Sequence, residues 1–286
     1  ELAEKSDTAF RTWLAKQSKA QARAFLADWR CWARDDQVPP PGDWAVWLLL
    51  AGRGFGKTRA GAEWVREQAL AHPGARIALV AATPAEARSV MVEGVSGLLA
   101  IGDPAARPAF ESSLKRLVWP NGSVASLFGA SDADSLRGPE HGFAWCDEIG
   151  KWPGAEAAWT NLMLTMRHGA RPRVVATTTP RGGTLIKRLL TDGDVAVTRG
   201  ASTANHLHLA DGYLAAMQRL YGGTRIGRQE LDGEILEDDD GALWTRAGLD
   251  ACRVAADAVG VPGRVVIGVD PPAGGGRADD LGSGPD

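Results

Sequence analysis

Apolar and polar residues follow one another in blocks whose spacing predicts a mixture of helices and strands. In residues 1–34, large apolar side chains recur every three or four positions, as they do along one face of a helix. They are Phe10, Trp13, Leu14, Ala22, Phe25, Leu26 and Trp29. Packing in a core is the expected role of the aromatic members. A proline-rich break at residues 37–44 separates this segment from the rest of the chain.

Short unbroken apolar runs follow the break and predict strands buried on both faces. Four such runs occur: residues 47–51, residues 76–83, and the runs that end at Asp147 and at Thr178. Helical patterns begin at Lys57 and extend over residues 84–99, and residues 115–130 predict a hairpin around a Pro-Asn-Gly turn. Strands that alternate with helices predict an α/β fold with three layers around a mainly parallel sheet.

Composition is typical of a soluble globular protein and excludes several classes. The 286 residues, 44% hydrophobic and 23% charged, suffice for about two ordinary domains or one large one. No apolar run is long enough for a membrane span, no leader peptide is expected, and the lack of an initial Met allows a start further upstream. Cys31, Cys146 and Cys252 lack metal-ligand spacing and are expected to be reduced thiols in a cytoplasmic protein. A net charge of −3 excludes a general polyanion binder but allows a local basic channel.

The stretch WLLLAGRGFGKTRAG at residues 47–61 predicts a phosphate-binding loop between a strand and a helix. Its glycines allow backbone N–H groups to close around phosphate oxygens, and the new helix directs its positive end at the same anion; they are Gly52, Gly54 and Gly56. Lys57 is expected to reach the terminal phosphates, and the Thr58 hydroxyl to hold Mg²⁺. The usual pattern starts with Gly where this chain has Ala51, and the alternative is a glycine-rich turn without a ligand.

An acidic pair is predicted at the end of the strand in FAWCDEIGKW, residues 143–152. Ligands of parallel α/β sheets bind at the carboxyl ends of the strands. Asp147 suits the Mg²⁺ shell, and Glu148 can orient or deprotonate a water that attacks the γ-phosphate. Because neighbouring residues of a strand face opposite ways, the pair is expected where the strand ends. Taken alone, an acidic pair is more often solvated surface.

Further polar residues are candidates for the same site. RVVATTTPRGG is expected to place Thr177, Thr178 and Thr179 near the γ-phosphate, where their hydroxyls could sense it; the alternative is an ordinary β-branched strand end. Arg137 precedes the acidic strand and Arg53 lies in the glycine-rich loop, so either could neutralise charge in phosphoryl transfer.

A histidine pair offers a different interpretation. His206 and His208, with Asp211 nearby, suggest a metal site, but no further His or Cys joins them. An ordinary helix start is the preferred interpretation.

Four blocks in order resemble the large terminase subunit of tailed phages and phage-derived gene transfer agents. The resemblance extends over residues 29–267, and the blocks are DQVPPPGDWAVWLLLAGRGFGKTRAGAEWV, LRGPEHGFAWCDE, TTTPRG and YGGTRIGRQELDGEILEDDDGALW. It implies a P-loop NTPase of the additional-strand, catalytic-glutamate type that hydrolyses ATP with Mg²⁺. It also implies a homo-oligomeric ring on the portal protein that drives double-stranded DNA into a capsid, with a small terminase subunit as partner.

The resemblance also assigns roles by position. Residues 52–58 match the Walker A loop with its typical arginine at Arg53, Asp147 matches Walker B, Glu148 the catalytic glutamate and residues 177–179 the coupling motif.

Two further residues match the family outside these motifs. Gln37 matches a glutamine that reads adenine, and Arg137 a candidate finger that reaches the ATP of a neighbouring subunit.

The resemblance predicts four segments, namely an N-terminal helical segment (1–43), the ATPase domain (44–236), a linker (237–263) and the start of a ribonuclease-H-like nuclease (264–286). Asp270 matches the first metal ligand of that nuclease. One carboxylate followed by a low-complexity tail cannot hold a two-metal site. We therefore expect a fragment or a truncated gene without endonuclease activity.

Two alternatives to a packaging ATPase remain open. One is another nucleic-acid translocase such as a helicase, although no second motor-like motif follows residue 192. The other is an inactive prophage remnant that binds ATP.

Overall fold

An eight-stranded sheet organises the first of two units into which the chain divides, residues 1–237 and 238–286. The structure, a computed structural model, describes residues 7–235, 244 and 246–254. In the second unit the described residues include one helix, Arg246–Ala251. Asp270 and the predicted nuclease strand lie outside the described residues.

The sheet is mainly parallel, as the sequence predicts, with the order β3-β4-β5-β2-β6-β7-β1-β8. Two pairs of neighbouring strands are antiparallel, β3 with β4 and β4 with β5, and the second pair forms the predicted hairpin. The strands are β1 Val46–Ala51, β2 Arg76–Ala81, β3 Ala109–Glu111, β4 Arg116–Val118, β5 Val124–Gly129, β6 Phe143–Cys146, β7 Arg173–Thr178 and β8 Val195–Gly200.

Helices cover both faces of this sheet. The alternate residues of β1 point into two separate apolar clusters: Trp47 and Leu49 pack with α3, whereas Leu48 and Leu50 pack with α5 and α6. This arrangement confirms the three-layer α/β architecture. The described helices are α1 Asp7–Ala15, α2 Lys19–Ala27, α3 Lys57–Ala71, α4 Pro84–Glu86, α5 Ala155–Thr165, α6 Thr184–Thr191, α7 Tyr213–Tyr221, α8 Arg225–Glu230 and α9 Arg246–Ala251.

The N-terminal segment is helical but interrupted. Ser18 caps α2 with a reciprocal hydrogen bond to Gln21, so that a new helix begins there rather than continuing α1. The rings of Phe10, Trp13 and Phe25 contact one another at centroid distances of 5.0–6.2 Å. Trp13 is 38% exposed, and none of the three belongs to the buried apolar clusters. These aromatics thus pack on one another rather than in a core as predicted.

The helix predicted over residues 84–99 is wrong beyond Val92. After α4, a π-helical turn runs over Ala87–Val92, and the chain then bends back. A Cβ at Gly94 would lie 2.5 Å from the Val90 oxygen, and one at Gly97 would lie 2.6 Å from the Val92 oxygen. These close approaches require glycine and are incompatible with a continuing helix of ordinary residues.

No helix among the described residues is long and apolar enough to cross a membrane.

A buried histidine beside the acidic strand makes the stability of the fold depend on pH. His141 is 3% exposed, and its Nδ1 lies 3.0 Å from Thr165 Oγ1. Burial, assisted by the charges of Arg76 and His168, lowers the pKa of His141 from 6.5 to about 4. As the pH falls from 6.5, the unfolded chain therefore binds a proton that the folded chain excludes, and the free energy of unfolding decreases.

We expect His141 to account for a loss of about 2 to 3 kcal/mol in the free energy of unfolding between about pH 7 and pH 4.5. Urea unfolding at both pH values measures this, and His141→Gln should lose correspondingly less than the wild type. The exposed His206 provides the control, because His206→Gln should behave like the wild type. Equal pH dependence in the wild type and His141→Gln would contradict the prediction.

Candidate nucleotide-binding site

The glycine-rich loop lies between β1 and α3, at the carboxyl edge of the sheet. Gly54 and Gly56 have φ angles of 75° and 98°, in the left-handed region that favours glycine. Helix α3 begins directly after them at Lys57. The backbone N–H groups of its first turn have no partners within the helix, which makes this helix start suited to an anion.

Lys57 occupies the centre of the loop. Its Nζ donates hydrogen bonds to the carbonyl oxygens of Ala51 at 2.8 Å and Gly52 at 3.0 Å, and lies 3.6 Å from Glu148 Oε1. Burial lowers the pKa of Lys57, while the charges of Glu148 and Asp147 oppose that shift. The ammonium group is thus held in place by oxygens that a phosphate could replace.

The acidic pair follows β6 and meets the loop at this edge. Glu148 has φ 49° and ψ 53°, a left-handed conformation that is rare for a residue with a side chain. The sharp turn explains how two consecutive residues reach one site from the end of a strand. Burial raises the pKa of Asp147 to about 6, with the Glu148 charge acting in the same direction and the Thr177 hydrogen bond and Lys57 opposing it.

Two of the three threonines, Thr177 and Thr179, hold the acidic pair in position. Thr177 Oγ1 donates to Asp147 Oδ1 at 2.7 Å and accepts from the Glu148 N–H at 3.2 Å. Thr179 donates to Glu148 Oε2 from its backbone N–H at 3.2 Å and from its hydroxyl at 3.3 Å. Thr178 Oγ1 accepts from the Gly150 N–H at 3.2 Å. Sensing of a γ-phosphate by these hydroxyls stays a prediction.

Gln37 braces the loop from its other side. It is 5% exposed, its Nε2 donates to the Phe55 oxygen at 3.3 Å, and its Oε1 accepts from the Arg34 N–H at 3.4 Å. Arg34 also donates to the Phe55 oxygen at 2.9 Å and to Asn205 Oδ1 at 2.7 Å. Asn205 in turn donates to the Gly54 oxygen at 2.6 Å. Both polar ends of the glutamine amide are engaged within the protein, and reading of adenine stays a prediction.

Replacing Gln37 by Ala is expected to weaken binding of ATP and of GTP about tenfold each, the equivalent of one lost buried hydrogen bond. The reason is that the lost contact supports the loop, which both nucleotides share. Titration with fluorescent analogues of each nucleotide measures this, with Gln17→Ala on the exposed N-terminal segment as the control. A loss confined to ATP would contradict bracing and indicate an adenine contact.

A cleft of about 570 Å³ opens over the loop. Lys57, Thr58, Glu148 and Arg53 line it, whereas Gln37, Gly52 and Asp147 do not. Sequence reasoning missed Lys151, Asn205, Leu209 and Tyr213 as lining residues, and it considered His208 only as a metal ligand. They belong to no local motif, and only the fold brings them to the loop.

The two candidate arginines occupy different places. Arg53 lies in the cleft, and its Nε donates to Glu230 Oε2 at 2.7 Å, a bond that raises the pKa of Arg53. Arg137 has a side chain that is 69% exposed and 3.5 Å from Asp134, and it does not line the cleft. An action of Arg137 on the nucleotide of a neighbouring subunit stays a prediction.

The histidine pair lies in a 3₁₀-helical segment, Ser202–His208, rather than in an α-helix start. His206 Nδ1 contacts the Thr203 oxygen at 3.2 Å. Within the part of the chain that the structure describes, no three His, Cys, Asp or Glu side chains are grouped to hold a metal ion.

A phosphate-binding loop after the first strand of a mainly parallel sheet, with an acidic pair at a nearby strand end, defines the class of P-loop NTPases. Within that class, the chain belongs to the family described as terminase large subunit, T4likevirus-type, N-terminal, whose model matches residues 48–250. The family assignment expected from the four sequence blocks is thus confirmed.

Solved structures share this fold at low sequence identity. The large terminase of a thermophilic bacteriophage is 15% identical with a TM-score of 0.58, over 75% of this chain and 53% of that chain. The large terminase ATPase domain of Thermus phage P74-26 is 20% identical with a TM-score of 0.53, over 81% of this chain and 98% of that chain. The HK97 bacteriophage large terminase is 15% identical with a TM-score of 0.52, over 77% and 51%.

The chain thus spans about half the length of the first and the third of these terminases. No curated protein sequence matches it significantly.

Proposed function

We propose that this chain hydrolyses ATP as the motor portion of a terminase that moves double-stranded DNA into a capsid. The observation that carries the proposal is the approach of Lys57 Nζ to within 3.6 Å of Glu148 Oε1 at the start of α3. This pairs a phosphate-binding cation with a carboxylate at the same edge of the sheet. The match of the fold to terminase ATPase domains supports the assignment, as does a structure of the thermophilic bacteriophage terminase described as a complex with ADP.

The residues present fit a magnesium ion. Asp147 is a buried carboxylate that accepts a hydrogen bond from Thr177 Oγ1 at 2.7 Å. Its neighbour Glu148 lines the cleft, and so does Thr58. Carboxylate and hydroxyl oxygens are the ligands that Mg²⁺ prefers. When bound, the ion would neutralise charge on the phosphate oxygens.

The neighbouring side chains can then divide the remaining work. Lys57 would exchange the carbonyl oxygens of Ala51 and Gly52 for phosphate oxygens. Glu148 would orient the attacking water and accept its proton. Its Oε2 is held by Thr179, whereas its Oε1 lies 3.6 Å from Lys57 Nζ at the phosphate loop. Thr177 would transmit changes at this carboxylate to β7, since it contacts both acidic residues.

The assembly that we propose is a homo-oligomeric ring on a portal protein in the host cytoplasm, supplied with DNA through a small terminase subunit. The function is tested by measuring ATP hydrolysis by the purified chain in the presence of Mg²⁺, with and without double-stranded DNA and portal protein. We expect basal turnover that rises when DNA and portal are both present. A chain that binds ATP without turnover under any of these conditions would be the inactive remnant instead.

A further inference from the structure

A basic groove lies at the amino edge of the sheet, opposite to the edge that carries the phosphate loop. Its volume is about 390 Å³. Three arginines and two histidines line it, namely His72, Arg76, His168, Arg171 and Arg173, together with small and apolar residues. No acidic residue is among the described residues that line it. We call this the amino-edge groove.

Two of the arginines are positioned by neighbouring strands. Arg76 is the first residue of β2 and Arg173 is the first residue of β7. Strand β6 lies between them, with Phe143 paired to Ile77 on one side and to Arg173 on the other. Two strand spacings separate the backbones of the arginines by about 10 Å. Arg76 and Arg173 therefore start from separate points of the edge, and with Arg171 they make up a row of cations.

Arg76 and Arg171 each have a carboxylate partner, but much of each guanidinium side chain is still exposed to solvent. Arg76 Nη1 is 3.6 Å from Glu140 Oε2, and Arg171 pairs with Asp43. Both guanidinium side chains stay more than half exposed, at 57% and 53%. Their carboxylate partners lie outside the groove lining, so the arginines remain accessible for a second anion.

Arg173 is the fixed member of the row. Its Cζ lies 4.3 Å from the centre of the Trp44 ring, and its Nη2 donates to the Gly42 oxygen at 3.3 Å. Its Nε is buried without a hydrogen-bond partner. Burial and the neighbouring charge of Arg171 lower the pKa of Arg173, so that an anion in the groove would relieve an unfavourable arrangement of like charges.

We propose that the amino-edge groove binds the phosphate backbone of double-stranded DNA. Planar guanidinium groups match phosphate oxygens with two parallel hydrogen bonds each. The separation of about 10 Å corresponds to the rise of about three base pairs along the axis of a duplex. Gly74 and Gly169 border open space, because nothing lies within 4 Å of a Cβ built at either of them. The choice of DNA over other polyanions rests on the proposed function.

The test measures binding of a fluorescent duplex of about 30 base pairs by anisotropy, between about 50 and 200 mM salt. The groove variant is Arg76→Gln with Arg171→Gln, and both residues are exposed. The matched control is Arg116→Gln with Arg188→Gln, which removes the same charge from two arginines that also pair with carboxylates and whose side chains are 40% and 51% exposed. A third variant, Arg76→Lys with Arg171→Lys, keeps the charge. Basal ATP turnover and thermal unfolding are recorded for each protein.

We expect the groove variant to bind the duplex at least tenfold more weakly, with a salt slope smaller by about 2. The control should change affinity less than twofold, and the lysine variant should keep the wild-type slope. An unchanged affinity in the groove variant, or an equal loss in the control, would overturn the proposal. So would displacement of the duplex by a poly-glutamate peptide at equal charge concentration, which would indicate an acidic protein as the occupant.

The two proposals fail separately in this experiment. If the chain hydrolyses ATP but the groove variant binds DNA as the wild type does, the proposed ATPase function is supported and the proposed DNA site is wrong. If the groove variant binds DNA more weakly but the chain does not hydrolyse ATP, the proposed DNA site is supported and the proposed motor function is wrong.

Discussion

Replacing Glu148 by Gln is expected to leave ATP binding intact and to lower hydrolysis about a hundredfold or more. The amide keeps the shape of the side chain and its place beside Thr179 and Lys57. It cannot accept a proton from the attacking water, nor does it attract Lys57 electrostatically. Because Lys57 is also held by the Ala51 and Gly52 oxygens, the loop should keep its form.

Single-turnover release of phosphate, measured beside equilibrium binding of a fluorescent ATP analogue, separates these two effects. Glu111→Gln is a matched control, since that carboxylate lies on β3 at the far edge of the sheet and pairs with Arg116. The control should turn over at the wild-type rate. Turnover near the wild-type rate in Glu148→Gln would remove Glu148 from the reaction.

Replacing Arg137 by Ala is expected to abolish nearly all hydrolysis, by about a thousandfold, while ATP still binds. Charge on the γ-phosphoryl oxygens must be stabilised as the bond to the leaving group breaks, and a guanidinium supplies a planar fork of donors. Arg137 does not line the cleft of its own chain, so it would act on a neighbour. Hydrolysis would then depend on assembly.

Mixing two inactive variants tests this trans role. Arg137→Ala has an intact phosphate loop, and Lys57→Ala has an intact Arg137. Under assembling conditions with portal protein, the mixture should regain part of the wild-type turnover, whereas each variant alone should not. An assembled mixture without recovered turnover would show that Arg137 does not act across a subunit boundary.

Arg53 is the alternative to Arg137 as the residue that stabilises charge on the γ-phosphoryl oxygens. Arg53 lies in the cleft of its own chain but is bound to Glu230, beside which Arg181 lies at 3.9 Å. Release of Arg53 toward a phosphate would leave Glu230 with Arg181 and with the Gln229 amide, which donates to Glu230 Oε1 at 3.4 Å. If Arg53 is the charge donor, Arg137→Ala should hydrolyse ATP at nearly the wild-type rate.

Local patterns were sufficient for six of the eight strands and for the phosphate loop, whereas β3 and β8 were not predicted. The apolar runs correspond to β1, β2, β6 and β7 because strands buried on both faces need unbroken apolar sequence. The glycine spacing identified the loop because its φ angles require glycine. These features depend on residues close together in the chain, which a single sequence records.

Features that depend on distant residues could not be predicted in this way. Asn205 contacts Arg34 across 171 positions, and neither residue belongs to a motif. The left-handed conformation of Glu148 is imposed by its surroundings against its own preference, so no local rule predicts it. The prediction of a helix over residues 84–99 was wrong beyond Val92 for the same reason, since the close backbone approaches at Gly94 and Gly97 are set by the fold.

The left-handed backbone conformation of Glu148 lowers the stability of the fold at a residue that the proposed activity requires. A residue with a side chain in the left-handed region costs about 1 kcal/mol or more relative to glycine. Glu148→Gly should therefore unfold at a higher temperature than Glu148→Ala, since both variants lose the same side-chain contacts and the activity, and only glycine relieves the backbone strain. Among variants that lack the carboxylate, a screen for heat resistance would favour glycine at this position. Any thermostable version of this chain for use in vitro has to hold position 148 fixed and seek its gains elsewhere.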